Sequence, residues 1–420
     1  MPSLVFSDVQ GNIVEFEELA MVGRSGDYFL PLCREDTIPL PAGSNLYVLP
    51  DRYPVGLDRE TGEIVLMTRN PYDGTEPVYA VAVFLPAAYT QTYHAAWERD
   101  ARACELPFFA YTALGWDDGF VIAGVRTDSS NRQDPDTFNH DLIRQGIHDW
   151  KGQFSGNRLV EHLAHCALGY GCPAALNLFQ GREEAPLPTS PYCNARCVGC
   201  ISKQDQCRPP SPQQRIDFVP TAQEIAEIAL RHIHTASTPV VSFGQGCEGE
   251  PLLVADTIRD AIRLIRKETT EGVINLNTNA SLPEKVAELA DAGLDSMRIS
   301  MNSARRATYT SYFQPSYGFD SLMQSAREMK KRGRFVSINL FVFPGVTDAP
   351  REVEALKEFI SASQIDMIQW RNLNIDPDVY LDTIGQKLPA GIGMRRLISD
   401  MPVRSGYFNP YLEKEEERAG

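Results

Sequence analysis

From residue 215 to about 375 the apolar positions switch repeatedly between a helical period and short unbroken runs. "TAQEIAEIALRHIHTA" (221–236) opens with Thr221 and Glu224 in capping-box spacing, and its Ile and Leu residues recur as on one face of a helix. "PVVSFG" (239–244) follows, an apolar run between turn residues that reads as a buried parallel strand. The alternation continues with a helix near 252–267, a strand "GVINLNT" (272–278), and a helix from Ser281 with Pro283 and Glu284 in its first turn. Strands at "SMRISMN" (296–302), "FVSINLFVF" (335–343) and "DMIQW" (366–370) are separated by helices near 319–333 and 349–362. With a short strand before Cys193 this makes six β–α units, an α/β chain containing an open, partial (β/α)6 TIM-type barrel.

The pattern before the barrel is different. Residues 1–90 hold strand-like pieces ("SLVF", "NIVEF", "SNLYVL", "EIVLM", "YAVAVFL") separated by Gly, Pro and Asp, and from about 135 to 178 the pattern turns helical. "GREEAPLPTSP" (181–191) reads as an extended connection. The expected organisation is a β-rich N-terminal domain over 1–130, a helical segment over 131–180, the barrel over 181–378 and a C-terminal extension over 379–420. Residues 401–420, with the acidic "LEKEEER", are expected to be exposed.

Composition narrows the chemistry. The chain has 420 residues, 43% hydrophobic and 23% charged, with a formal charge of −15, which argues against nucleic acid or an anionic membrane as the main partner. No basic-then-apolar leader and no apolar run of 18 residues occurs, so a cytoplasmic location with reduced thiols is expected. Nine cysteines, odd in number and clustered, then point to metal ligation or catalysis.

Three of them stand at C-x3-C-x2-C in "CNARCVGC": Cys193, Cys197 and Cys200. Incidental cysteines, a zinc site and an iron–sulfur cluster all compete for this loop. Zinc usually closes with four ligands, yet no His lies between Tyr192 and Arg231 and only Cys207 is close by in sequence. An iron–sulfur cluster takes one thiolate per iron, so three thiolates on four irons leave one iron open.

The triplet resembles the cluster loop of the radical S-adenosylmethionine (radical SAM) superfamily. The resemblance implies a 4Fe–4S cluster on Cys193, Cys197 and Cys200, with the amino and carboxylate groups of SAM on the fourth iron. It implies reductive cleavage of SAM to a 5′-deoxyadenosyl radical that abstracts hydrogen from a substrate. Many members carry an aromatic residue just before the third Cys, where this chain has Gly199. Gly249, Glu250 and Pro251 resemble the family's Gly-Gly-Glu-Pro motif, which contacts the SAM amino group; Glu248 stands in the first Gly position. Ser300 and Asn302 on the fourth strand are the carry-over candidates for the SAM ribose or carboxylate, with Arg298 on the same face.

Other polar strand ends belong to the same predicted mouth. Asn277 and Asn279 end the third strand, and Asn277 is a candidate cofactor contact. Gln369, Arg371 and Asn374 near the sixth are substrate-facing or surface residues. Cys247 reads as a small apolar residue, a substrate contact or a metal ligand with Cys207. Cys166 and Cys172, with His162 on one helical face with Cys166, read as a buried helix or a second metal site. No residue is assigned a catalytic role on the substrate. The resemblance covers about 187–375 and implies an external reductant such as flavodoxin or ferredoxin and a small-molecule or peptide substrate. The alternative is a non-catalytic iron–sulfur protein for electron transfer or redox sensing.

Overall fold

The capping box forms as the spacing predicts. In the helix Ala222–Thr235 the Thr221 hydroxyl accepts the Glu224 N–H at 3.1 Å, and the Glu224 carboxylate accepts the Thr221 N–H at 2.7 Å. The computed structural model to which this helix belongs describes residues 1–205 and 208–413, so Cys207 and most of the acidic "LEKEEER" run lie outside the described residues.

Six parallel strands follow the predicted order: Glu184–Leu187, Val240–Phe243, Val273–Thr278, Ser296–Met301, Phe335–Val342 and Met367–Asn372. Helices Ala222–Thr235, Ala255–Glu268, Pro283–Ala292, Asp320–Lys331 and Pro350–Ser363 alternate with them. Along the fourth strand Met297, Ile299 and Met301 are fully buried in the apolar cluster shared with the helices. Ser296, Arg298 and Ser300 therefore point to the other face, the inside of the curled sheet. This is the partial TIM-type barrel.

The C-terminal tail departs from the expectation of exposure. Arg404–Gly406 pairs in parallel with the sixth strand as a seventh, and Phe408 and Asn409 are buried. The Asn409 amide donates to Glu184 Oε1 at 2.7 Å, to Asn277 Oδ1 at 3.2 Å and to Ser242 Oγ at 3.4 Å, and its oxygen accepts from Gln369 at 3.0 Å. One side chain thus touches the first, second, third and sixth strands, which is possible only because the sheet curls around it. The barrel interior is polar, so it needs a hydrogen-bonding plug rather than an apolar one.

The N-terminal half is a 12-stranded antiparallel sheet with a separate two-stranded pair, followed by helices His140–Gln153, Arg158–Tyr170 and Pro173–Gln180. Its strands run further than the apolar pieces of 1–90: Thr112–Trp116, Phe120–Ile122 and Gly124–Arg126 are too short and Gly-punctuated to announce themselves. This extension sits on the carboxyl ends of the fifth and sixth barrel strands. Gly26 N–H donates to Pro344 O at 3.0 Å, and a Cβ on Gly345 would meet Gly26 N at 2.0 Å, so only glycine fits there. The His94 ring lies 4.2 Å from that of Phe343, and Gln91 N–H donates to Asn372 Oδ1 at 2.9 Å.

The strongest tie is a buried ion pair. Arg52 Nη2 lies 2.9 Å from Asp376 Oδ2, with side chains 2% and 0% exposed, and Asp376 also accepts the Leu106 N–H at 2.9 Å. Removing one partner strands a buried charge. Asp376→Ala should therefore cost about 3–5 kcal/mol, whereas a paired Arg52→Met/Asp376→Asn change, which keeps an acceptor for the Leu106 and Asp378 N–H groups, costs less. Denaturant melts of the two variants check this; equal losses would show that the pair's charge is not what matters.

Candidate cofactor and metal site

The first barrel strand hands the chain to the cysteine loop through Thr189 and Ser190, both fully buried. Glu248 holds that handover. One carboxylate oxygen accepts Thr189 N–H (2.8 Å), Thr189 Oγ (3.0 Å) and Ser190 N–H (2.9 Å); the other accepts Gln245 N–H at 2.7 Å. The position where the family motif has glycine is thus a clamp between two loops.

The clamp brings Gly249 against the cysteine loop. Gly249 N–H donates to Ser190 O and Glu250 N–H to Tyr192 O, both at 2.6 Å. A Cβ on Gly249 would lie 1.9 Å from Tyr192 O and 3.2 Å from Cys193 N, so no other residue permits this approach. On its far side the loop is fixed by Arg196 and Val198 N–H groups donating to Phe313 O and Tyr312 O, both at 3.0 Å. Asn194 bridges to the third strand's end: its oxygen accepts from Asn279 at 2.7 Å and its amide donates to Ser281 Oγ at 2.9 Å.

Gly199 also has a reason in the packing. A Cβ there would meet the Tyr312 hydroxyl at 2.7 Å. An aromatic ring therefore does stand beside the third cysteine, but it comes from the helix Arg306–Phe313.

The thiols suit a cationic centre. Cys193 is exposed, and Cys197 and Cys200 are half-buried. Burial pushes the Cys197 thiol well up, and the neighbouring Cys200 and Cys193 push it further. Three thiolates so placed need a compensating positive centre. Arg215 supplies part of one, with Nη2 3.4 Å from Cys200 Sγ and Nε 3.1 Å from Ser202 Oγ. Sequence reasoning missed Arg215, which lies in a Pro-rich loop without periodic signal.

Glu250 is 3% exposed. It accepts the Leu252 N–H at 3.0 Å, the Asn279 N–H at 2.8 Å and the Thr278 hydroxyl. Burial still raises its carboxyl from 4.5 to about 7. Among the described residues no cation pairs with it, so it is an acceptor suited to a bound ammonium group.

The remaining predicted residues divide. Asn277 is committed to the interior: its amide donates to Phe243 O (2.9 Å) and Gly244 O (3.1 Å), and its oxygen accepts from Asn275 and Asn409, which fills its capacity. Asn302 donates to Thr308 O at 3.2 Å and Tyr380 Oη at 2.9 Å, while its buried oxygen has no partner among the described residues. Ser300 is half-buried and level with Asn339, whose oxygen is likewise buried and unpartnered. Arg298 donates to Gln369 Oε1 at 2.8 Å and leaves Nε unpartnered; burial, then the charge of Arg371, lowers it to about 9. Arg371 lies 3.8 Å over the Tyr407 ring, its Nε also unpartnered. Asn374 turns its main-chain oxygen toward Gly199. Cys166 and Cys247 come together with His162.

Comparison with known proteins follows the same segment. Residues 187–360 match the family model described as Radical SAM superfamily. A GTP 3′,8-cyclase of Erythrobacter litoralis is 25% identical over 55% of this chain and 67% of its own length. The FeMo cofactor biosynthesis protein NifB of Klebsiella pneumoniae is 26% identical over 39% of this chain and 38% of its own. The chain thus spans about two thirds of one relative and under half of the other. Among solved structures, "Native anSMEcpe with bound AdoMet" aligns over 46% of this chain and 52% of its own at TM-score 0.37 and 19% identity.

The Glu250 environment has a pH signature. The folded state holds this proton more tightly than the unfolded state, so Glu250's own contribution to stability is fully present below pH 4.5 and is lost as pH rises through about 7. Glu250→Gln removes that contribution, so the variant should gain on the wild type by up to about 3 kcal/mol across the window. Denaturant melts of both proteins at each end of the window check it; parallel pH profiles would refute it.

Proposed function

We infer, from a chain that carries a radical SAM domain over residues 187–360, that the protein holds a 4Fe–4S cluster on Cys193, Cys197 and Cys200 and cleaves SAM reductively to begin hydrogen abstraction from a substrate. The observation that carries this reading is the Gly249–Tyr192 contact, which joins three thiols to a buried Glu250 that no cation pairs with among the described residues. A carrier of electrons would have no use for the second half of that unit.

When bound, the cluster and SAM together supply a one-electron cleavage of the sulfonium, with 5′-deoxyadenosine as the product after hydrogen abstraction. The chain's own residues do the rest. Glu250 receives the ammonium group of SAM; Gly249 lets its loop seat against the cysteine loop, and Pro251 opens the short helix Pro251–Val254 that follows. Ser300, Asn302 and Arg298 offer hydroxyl, amide oxygen and guanidinium to the ribose and carboxylate. Arg215 donates to the Cys200 sulfur, and a donor there favours the reduced, more negative cluster. Arg371, with its unpartnered Nε, faces a small-molecule or peptide substrate bearing a polar or anionic group.

The N-terminal extension shields this mouth. It rests on the ends of the fifth and sixth strands, and its Glu105 pairs with Arg208 just beyond the cysteine loop. Excluding water there protects a reactive species from side reactions. An external reductant such as flavodoxin or ferredoxin supplies the electron.

Anaerobic reconstitution should give about four irons per chain and release 5′-deoxyadenosine from SAM under reduction. The Cys193/Cys197/Cys200→Ala variant should lose both; SAM cleavage by that variant would overturn the assignment. Arg215→Ala should keep its iron but show a lower cluster potential by redox titration. An unchanged potential would remove Arg215 from the electronic account.

A further inference from the structure

His162, Cys166 and Cys247 bring an imidazole nitrogen and two thiol sulfurs within 4.8 Å of one another. They come from different parts of the fold. His162 and Cys166 lie one turn apart on the extension helix Arg158–Tyr170, and Cys247 lies in the loop after the second barrel strand. None of them is a ligand in the site proposed above. We propose that these residues form a second metal site, for a soft divalent ion of the zinc class.

The spacing fits one ion. His162 Nε2 and Cys166 Sγ are 3.6 Å apart. With zinc–sulfur bonds of about 2.3 Å and zinc–nitrogen bonds of about 2.0–2.1 Å, the sulfur–nitrogen edge of a tetrahedron is about 3.6 Å. The donor set of two sulfurs and one imidazole selects zinc-class ions over calcium or magnesium, which require oxygen.

The surroundings fit as well. Cys166 is 2% exposed and Cys247 6%. Binding releases both thiol protons to solvent, and two thiolates with a neutral imidazole make a dication electrically neutral, the state that burial tolerates. Water completes the fourth position. The Cys247 carbonyl accepts the Ile216 N–H at 2.8 Å, which fixes that donor's backbone. The His162 ring is held edge-to-face at 6.3 Å from Phe218. The ion would brace the extension to the loop that carries Gly249 and Glu250, only two and three residues beyond Cys247.

The test uses the full chain, purified without oxygen from zinc-supplemented cells, with zinc and iron measured together. About one zinc per chain is expected, both in the wild type and in the Cys193/Cys197/Cys200→Ala variant that lacks the iron ligands. Zinc should fall to below about a tenth of that in Cys166→Ser/Cys247→Ser and in His162→Ala. Cobalt(II) added to the zinc-stripped triple-Ala variant should give thiolate-to-cobalt charge-transfer absorption that His162→Ala and Cys166→Ser weaken. Substoichiometric zinc in the wild type would overturn the site, and so would the absence of such cobalt absorption. So would mass spectrometry showing Cys166 and Cys247 joined in a disulfide after anaerobic purification. Wild-type zinc content remains decisive even if a variant proves insoluble, and a failed iron–sulfur assignment would leave it untouched.

Discussion

The approach of Gly249 to Tyr192 is the constraint on which the rest of the site depends. Two main-chain bonds of 2.6 Å and a gap too small for any Cβ make the cysteine loop and the Gly-Glu-Pro loop a single body. Glu248 locks that body to the end of the first strand with three hydrogen bonds from the buried Thr189 and Ser190, and a fourth from Gln245 N–H ties it to its own loop. Its carboxyl is itself raised by burial, so those donors matter: without them the group would be a buried acid with nothing to satisfy it. A preorganised pair of loops lets three sulfurs and one acid face a common space before any ligand arrives.

Below that mouth the barrel is filled by polar side chains rather than left open. Asn275, Asn277, Ser242, Gln369 and Asn409 satisfy one another across the curled sheet. Four side chains on or just past the fourth, fifth and sixth strands, Asn302, Asn339, Arg298 and Arg371, keep a buried polar atom without a partner among the described residues. A buried polar atom without a partner is a place where a polar ligand is useful, and these four lie on neighbouring strands. The extension, tied down by Arg52 and Asp376, covers the ends of two of these strands.

The parts legible in the sequence were those with a period. Apolar runs and caps such as Thr221–Glu224 marked six strands and their helices, because parallel strands buried on both faces must be apolar and helices must cover them. The cysteine triplet stood out because three thiols at that spacing have few other uses, and the loop that carries it does join the Gly-Glu-Pro loop. Tertiary partners were not. Asn409 looks like any tail residue until the sheet curls around it, and Tyr312 fills the space beside Gly199 from over a hundred positions away. Asn277 reads as a strand-end ligand, yet the carbonyls of the neighbouring strand occupy it. Short, Gly-punctuated strands of the extension carry too little pattern to be seen singly.

The central claim is that the cysteine loop and the Glu250 loop serve one ligand at an open iron. Electron paramagnetic resonance of the reduced, reconstituted protein tests it most directly. A change in the cluster spectrum on adding SAM, weakened in Glu250→Gln at equal iron content, is what the account predicts. A spectrum that saturating SAM leaves unaltered in the wild type would contradict it.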